Sequence, residues 1–339
     1  MVKLNPIIPS EKFEAGPNMK LYPGAMSTAL LNALDKESFK GIDISKIWDS
    51  FPECRNITFI RHLESIYNDY KKIVKEDPKY IEFNTTEDPA RKDELARELL
   101  HHYRKNIGVD FGTGISEEGK KQWEIYGKLY AELINANPEI FPTLIIISPY
   151  FRTRMTAHYF LKYIKWLEVD IDKLIDPENK QDLIVGSFQW KNVTIRLSNR
   201  VRERDHGSAV APSFLREYIE SIDPFSPSAV LSEDEENIQY YFNAPIWGES
   251  QVQVEDRIKV ELNSIMTEKH DNILVVSHHI AILAVLNNIF AGSMNTYYNI
   301  DRNRRPDNGS LTVVSEIPLT QTGQKDRLRV SAYNLKLGE

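Results

Sequence analysis

Three short apolar runs stand out along the chain: Asn56–Arg61 (NITFIR), 143–147 (TLIII) and 273–276 (ILVV). None alternates apolar with polar residues, so each reads as a strand buried on both faces. Each ends in polar residues, Arg61-His62, Ser148-Pro149 and Ser277-His278, and leads into a helical stretch: to Tyr70, over 152–167 and over 280–290. A late strand over 311–314 follows the turn Pro306-Asp307-Asn308-Gly309. Strands alternating with helices predict an α/β fold, a three-layer α/β/α sandwich around a mainly parallel sheet. In such sheets ligands bind at the C-terminal strand ends, where the polar residues fall here.

The flanking regions read differently. Residues 1–50 hold Pro6, Pro9, Pro17 and Pro23, with one helical spacing at Leu30, Leu31 and Leu34 within 25–34. They are expected to form an N-terminal extension packed on a main domain of residues 51–339. Residues 76–106 are densely charged and predict a solvated helical excursion, an insertion spanning about 70–109 after the first helix. Its Arg91, Lys92, Arg97, Arg104 and Lys105 are expected to reach a distal anionic group on a substrate.

Composition narrows the function. With 42 Lys and Arg against 49 Asp and Glu, the formal charge is −7, which argues against nucleic acid or an acidic membrane held by bulk charge. An anionic substrate then depends on a few placed cations. Cys54 is the single cysteine, so no intrachain disulfide or Cys-rich metal site forms, which suits a reducing compartment. The beginning of the sequence has no apolar stretch resembling a signal peptide, and the apolar run 280–286 is too short to span a membrane. The expectation is a soluble, cytoplasmic protein with no cofactor and no metal site.

The strand ends supply the parts of a metal-independent phosphoryl-transfer site. Arginines hold a charge spread over three oxygens. A neutral imidazole can attack phosphorus, and a carboxylic acid protonates the leaving oxygen.

Seven elements in order extend this inventory. FIRHLESIYN (59–68) resembles R-H-G-E-S-x-x-N of the histidine phosphatase superfamily, the phosphoglycerate-mutase-like group, branch 1. ISEEGKKQ (115–122) resembles L-T-x-x-G-x-x-Q, and SPYFRTRMTA (148–157) resembles S-P-L-x-R-A-x-Q-T-A. RERDHG (202–207), WGESQVQVEDR (247–257), VSHHIAIL (276–283) and NGSLTVV (308–314) resemble the acid element, the G-E-S-x-x-D-x-x-x-R helix start, V-S-H-G-x-x-I and the closing strand. The resemblance implies a phosphoglycerate-mutase-like fold. It implies His62 as nucleophile, Arg61, Arg152 and His278 as phosphate clamp, and Glu203 as proton donor. Ser65 and Asn68 are implied to line the phosphate pocket, and Arg204 and His279 to bind substrate. Leu63 and His279 stand where the family has glycine.

The expected activity is a phosphomonoester phosphatase acting on a small phosphorylated substrate or a phosphoprotein through a phosphohistidine. A phosphoglycerate-type mutase and a catalytically weak phosphate-binding regulatory module are the alternatives. The mutase needs added cations after the acid element, and SAVAPSFLREY (208–218) offers only Arg216.

Overall fold

The structure, a computed structural model, describes residues 55–107, 110–176, 183–205, 241–242, 244, 248–290, 292, 294–303, 305–316 and 328–337. The extension over 1–50, its helix over 25–34 and the stretch SAVAPSFLREY lie outside these residues. Among the described residues, strands β1 (Asn56–Arg61), β2 (Leu144–Ile147), β3 (Leu167–Glu168), β4 (Leu183–Phe188), β5 (Lys191–Leu197), β6 (Asn272–Ser277), β7 (Leu311–Glu316) and β8 (Leu328–Leu335) form one sheet. Their order is β3-β4-β5-β2-β6-β1-β7-β8. The helices are α1 (Ile66–Ile73), α2 (Pro78–Thr85), α3 (Pro89–Ile107), α4 (Glu117–Ala136), α5 (Phe151–Leu161), α6 (Gln251–Thr267), α7 (His279–Ile289) and α8 (Met294–Asn303).

Side-chain direction alternates along the central strands and sorts two cores. Ile60, Ile145, Ile147, Leu274 and Val276 face one layer with Tyr130, Ile134, Ala157 and Phe160 of α4 and α5. Ile57, Phe59, Leu144, Ile146, Ile273 and Val275 face the other with Val254, Ile258, Ile282 and Val285 of α6 and α7. Burial on both sides explains why these strands read as unbroken apolar runs.

The expectation of a mainly parallel sheet needs correction. β5, β2, β6 and β1 are mutually parallel, but β3-β4-β5 and β1-β7-β8 pair antiparallel. Only Gln189 and Trp190 separate β4 from β5, too short a link for a parallel crossover. Gln189 takes the turn with φ 51° and no glycine, so nothing in the sequence flagged this hairpin.

α2 and α3 occupy the charged excursion and are not wholly solvated. Phe83, Leu95, Ala96 and Leu99 close a small separate core on Tyr70 and Val74. Three of the basic residues expected to reach a distal anion have local partners in the unit itself, and the Arg104 side chain lies outside the described residues. Arg91 pairs with Glu82 and Glu94, Arg97 with Asp93, and Lys92 lies 5.3 Å over the Phe83 ring. Among the described residues no helix is long and apolar enough to cross a membrane.

Candidate active site

Parallel register brings the polar strand ends to one edge. Arg61 pairs with Ser277 and Ile147 with Val276, so the residues that follow, His62, Ser148 and His278, converge. The rings of His62 and His278 lie 5.2 Å apart, edge to face. Both are buried. Burial, reinforced by Arg152 and Arg61, holds the His62 imidazole well below its ordinary pKa. Burial, Arg152 and His62 do the same to His278. Both rings are therefore neutral at pH 7.

Local bonds orient each ring. His62 Nδ1 lies 2.7 Å from the Leu63 carbonyl, which can only accept, so Nδ1 carries the proton and Nε2 keeps its lone pair. His278 Nε2 is 2.7 Å from Ser148 Oγ, while its Nδ1 is buried with no hydrogen-bond partner among the described residues. Leu63 points away from the cluster into the core, and its N–H donates to Thr156 Oγ1. The Thr156 hydroxyl in turn donates to the Arg152 carbonyl, tying the end of β1 to the start of α5.

Arg152 is buried, with its guanidinium 4.8 Å over the Tyr150 ring. Arg61 donates through Nη1 to the Pro306 carbonyl, and its Nε has no partner among the described residues. Burial lowers the Arg61 pKa to about 10, against the nearby Glu203 carboxylate, which raises it. Arg154, two residues along, turns outward and donates to the Leu174 and Asp176 carbonyls.

Glu203 follows the turn Asn199–Val201, which Ser277 Oγ anchors by donating to the Val201 carbonyl. Arg257 then holds the segment, donating to the Arg200 and Glu203 carbonyls while pairing with Glu249 at 3.0 Å. Glu249 also accepts from the Asp205 N–H. The G-E-S-x-x-D-x-x-x-R element thus acts by fixing the acid segment. Arg204 sits on that segment, and its charge reaches Tyr297.

Two expected pocket residues have another occupation. Ser65 caps α1, and Asn68 returns the bond, with Asn68 Oδ1 accepting from the Ser65 N–H and hydroxyl. Their polar atoms close a capping box. His279, at the start of α7, places its Nε2 2.8 Å from Asp301 Oδ1 without hydrogen-bond geometry, and Asp301 also pairs with Arg305. Burial pushes His279 down to about 4 despite that carboxylate.

Sequence reasoning missed the cradle beneath the nucleophile candidate. The Pro306–Gly309 turn reads as a simple break before β7, yet it folds back onto β1. Asn308 Nδ2 donates to the His62 carbonyl at 2.9 Å, and the Gly309 N–H donates to the Arg61 carbonyl at 3.0 Å. Gly309 has φ 74°, and a Cβ there would press on Tyr126 and Leu63. Gly119 meets a similar limit, since a Cβ would fall 2.2 Å from the Glu64 carbonyl oxygen. Among the described residues no group of three or more His, Cys, Asp or Glu side chains could hold a metal ion.

The model of the histidine phosphatase superfamily (branch 1) matches residues 188–320, which include Glu203 and His278. No curated protein gives a significant sequence match. Among solved structures, the mycobacterial glucosyl-3-phosphoglycerate phosphatase is similar at 16% identity and TM-score 0.49, covering 84% of this chain and 100% of that one. Phosphoglycerate mutase from Bacillus anthracis is similar at 14% identity and TM-score 0.46, covering 83% and 93%. That match, over residues 188–320, is to the family that the strand-end motifs resemble.

Proposed function

We propose that the chain is a phosphomonoester phosphatase that forms a phosphohistidine on His62. The observation that carries the reading is the neutral, Nδ1-protonated His62 ring beside His278, Arg61 and Arg152 at one sheet edge. His62 Nε2 attacks phosphorus, the bond from phosphorus to the ester oxygen breaks, and Glu203 gives its proton to the departing alcohol. Water then attacks the phosphohistidine and loses a proton to the Glu203 carboxylate. The P–N bond breaks, releasing inorganic phosphate and neutral imidazole.

The cationic clamp gains most where charge spreads over the transferring oxygens. For His278 to join it, Nδ1 must donate, so the Ser148 hydroxyl must donate to Nε2. The chain supplies its own cations for this chemistry, so turnover should persist in a chelator.

Acid-labile labelling from a radioactive phosphomonoester tests the intermediate. Label should appear on the wild type and vanish in His62→Ala, together with turnover. Acid-stable label on a serine or aspartate would refute the nucleophile.

A further inference from the structure

A file of three rings runs from the interior of the candidate site to solvent. His278 is fully buried, Tyr150 is 8% exposed and Phe111 is 51% exposed. Tyr150 meets His278 edge to face at 5.0 Å, and Phe111 meets Tyr150 in the same way at 5.2 Å. The Arg152 guanidinium lies 4.8 Å over the Tyr150 ring. One tyrosine therefore touches two of the three members of the expected phosphate clamp, Arg152 and His278, and a half-exposed phenylalanine. In the S-P-L-x-R motif that position is leucine, so the aromatic hub is a departure of this chain.

Phe111 lies in the turn Asp110–Gly112, between α3 and α4. Chain geometry fixes its place. The Ile66 N–H donates to the Gly114 carbonyl, and a Cβ on Gly114 would meet Met155 and Phe151 of α5, so this segment crosses the start of the helix that bears Arg152. An exposed phenylalanine alone needs no explanation. One that continues a ring file out of a phosphate clamp offers apolar area to the part of an ester that lies beyond the phosphate.

We propose that Phe111 and Tyr150 form an apolar wall for the leaving group, so that the enzyme prefers phosphomonoesters of aryl alcohols, or of alcohols with an extended apolar face, over small polyol phosphates. This rests on the phosphatase reading above and adds the substrate class. A flat leaving group gains edge or face contact with the rings, and a polyol gains none. Chemistry at phosphorus is unchanged: the P–O bond to the aryl alcohol breaks and the alcohol departs with the Glu203 proton.

The test compares kcat/KM for 1-naphthyl phosphate and glycerol 2-phosphate in wild type, Phe111→Ala and Phe111→Trp. Taking the ratio of the two substrates, variant against wild type, removes their intrinsic difference in reactivity. Phe111→Ala should lower that ratio at least fivefold, mainly through KM, and Phe111→Trp should restore it. A smaller fall, or a fall that tryptophan does not restore, overturns the wall. Calorimetric binding of the same two esters to His62→Ala, with and without Phe111→Ala, supplies the ratio where no bond can form to His62. If wild type turns over neither ester, the phosphatase reading fails, and the binding ratio alone decides the wall by the same fivefold threshold.

Discussion

Arg152 on α5 and Arg91 on α3 are both helical arginines, held under opposite conditions. Arg152 is buried over an aromatic ring, and its charge depresses the pKa of two neighbouring imidazoles. Arg91 reaches two carboxylates of its own helical unit, Glu82 at 2.7 Å and Glu94 at 2.6 Å, in solvent. Burying a cation is costly, and a fold tolerates the cost where the charge meets an anion during function. An exposed arginine beside carboxylates mainly keeps a helical surface solvated. The contrast separates the strand-end cluster, where charge is buried beside two imidazoles, from the α2–α3 unit, where charge is neutralised locally.

The largest effect should come from the buried side. Arg152→Met should lower kcat/KM about 10²–10³-fold, the usual loss when a preorganised donor to developing oxyanion charge is removed. Arg154→Met, which only releases carbonyls near residue 175, should stay within about threefold, since it offers nothing to the transition state. Equal losses would erase the distinction between the two arginines. The same Arg152 variant should shift His62 in an NMR titration of the free protein. Removing a nearby positive charge favours the imidazolium, so the His62 pKa should rise toward 6.5 while burial keeps it below that value. A fall or no change would place the Arg152 charge elsewhere.

A smaller effect should follow from the cradle. Asn308→Ala removes one hydrogen bond to the His62 carbonyl, worth about 0.5–1.5 kcal/mol, so kcat should fall by up to about tenfold. The loss should fall on kcat with KM and the Nδ1-protonated tautomer unchanged, since the Leu63 carbonyl sets that tautomer, whereas a purely structural asparagine would lower stability and leave kcat of the folded enzyme alone. Asn334→Ala tests the same turn from behind. Asn334 sits at φ 52° on β8, and its Oδ1 accepts the Asp307 N–H. Its effect on kcat should be weaker than that of Asn308→Ala.

How far the sequence revealed all this depended on whether a signal was local. The doubly buried strands are apolar in every register, and their polar ends follow from strand polarity, so β1, β2, β6 and the His62–His278 meeting were legible. The β4–β5 hairpin was not, because Gln189 makes its turn without the usual glycine. Leu95, Ala96 and Leu99 were hidden among charges on α3, although their spacing is helical. The Asn308 contact could not be read at all. It joins residues 246 apart, and only the antiparallel pairing of β7 on β1 sets them together. Ser65 and Asn68 show the reverse difficulty, since S-x-x-N is as good a helix cap as a pocket lining.

The smallest expected effect tests the other half of the comparison. Arg91→Gln breaks the contacts to Glu82 and Glu94 on an exposed surface, where water and salt already screen the charges. Two long side chains also regain freedom when the pair is broken, offsetting part of the loss. The melting temperature should therefore move by no more than about 2 °C, and that shift should shrink as salt rises. Turnover of any phosphomonoester should be unaffected, because both carboxylates are supplied by the α2–α3 unit and none by the strand ends. The informative measurement is kcat/KM on a substrate carrying a second anionic group, at low and high salt. A loss above about threefold at low salt that disappears at high salt would show Arg91 leaving its carboxylates to capture substrate. The α2–α3 charges would then belong to recognition, and the division drawn between Arg91 and Arg152 would fail.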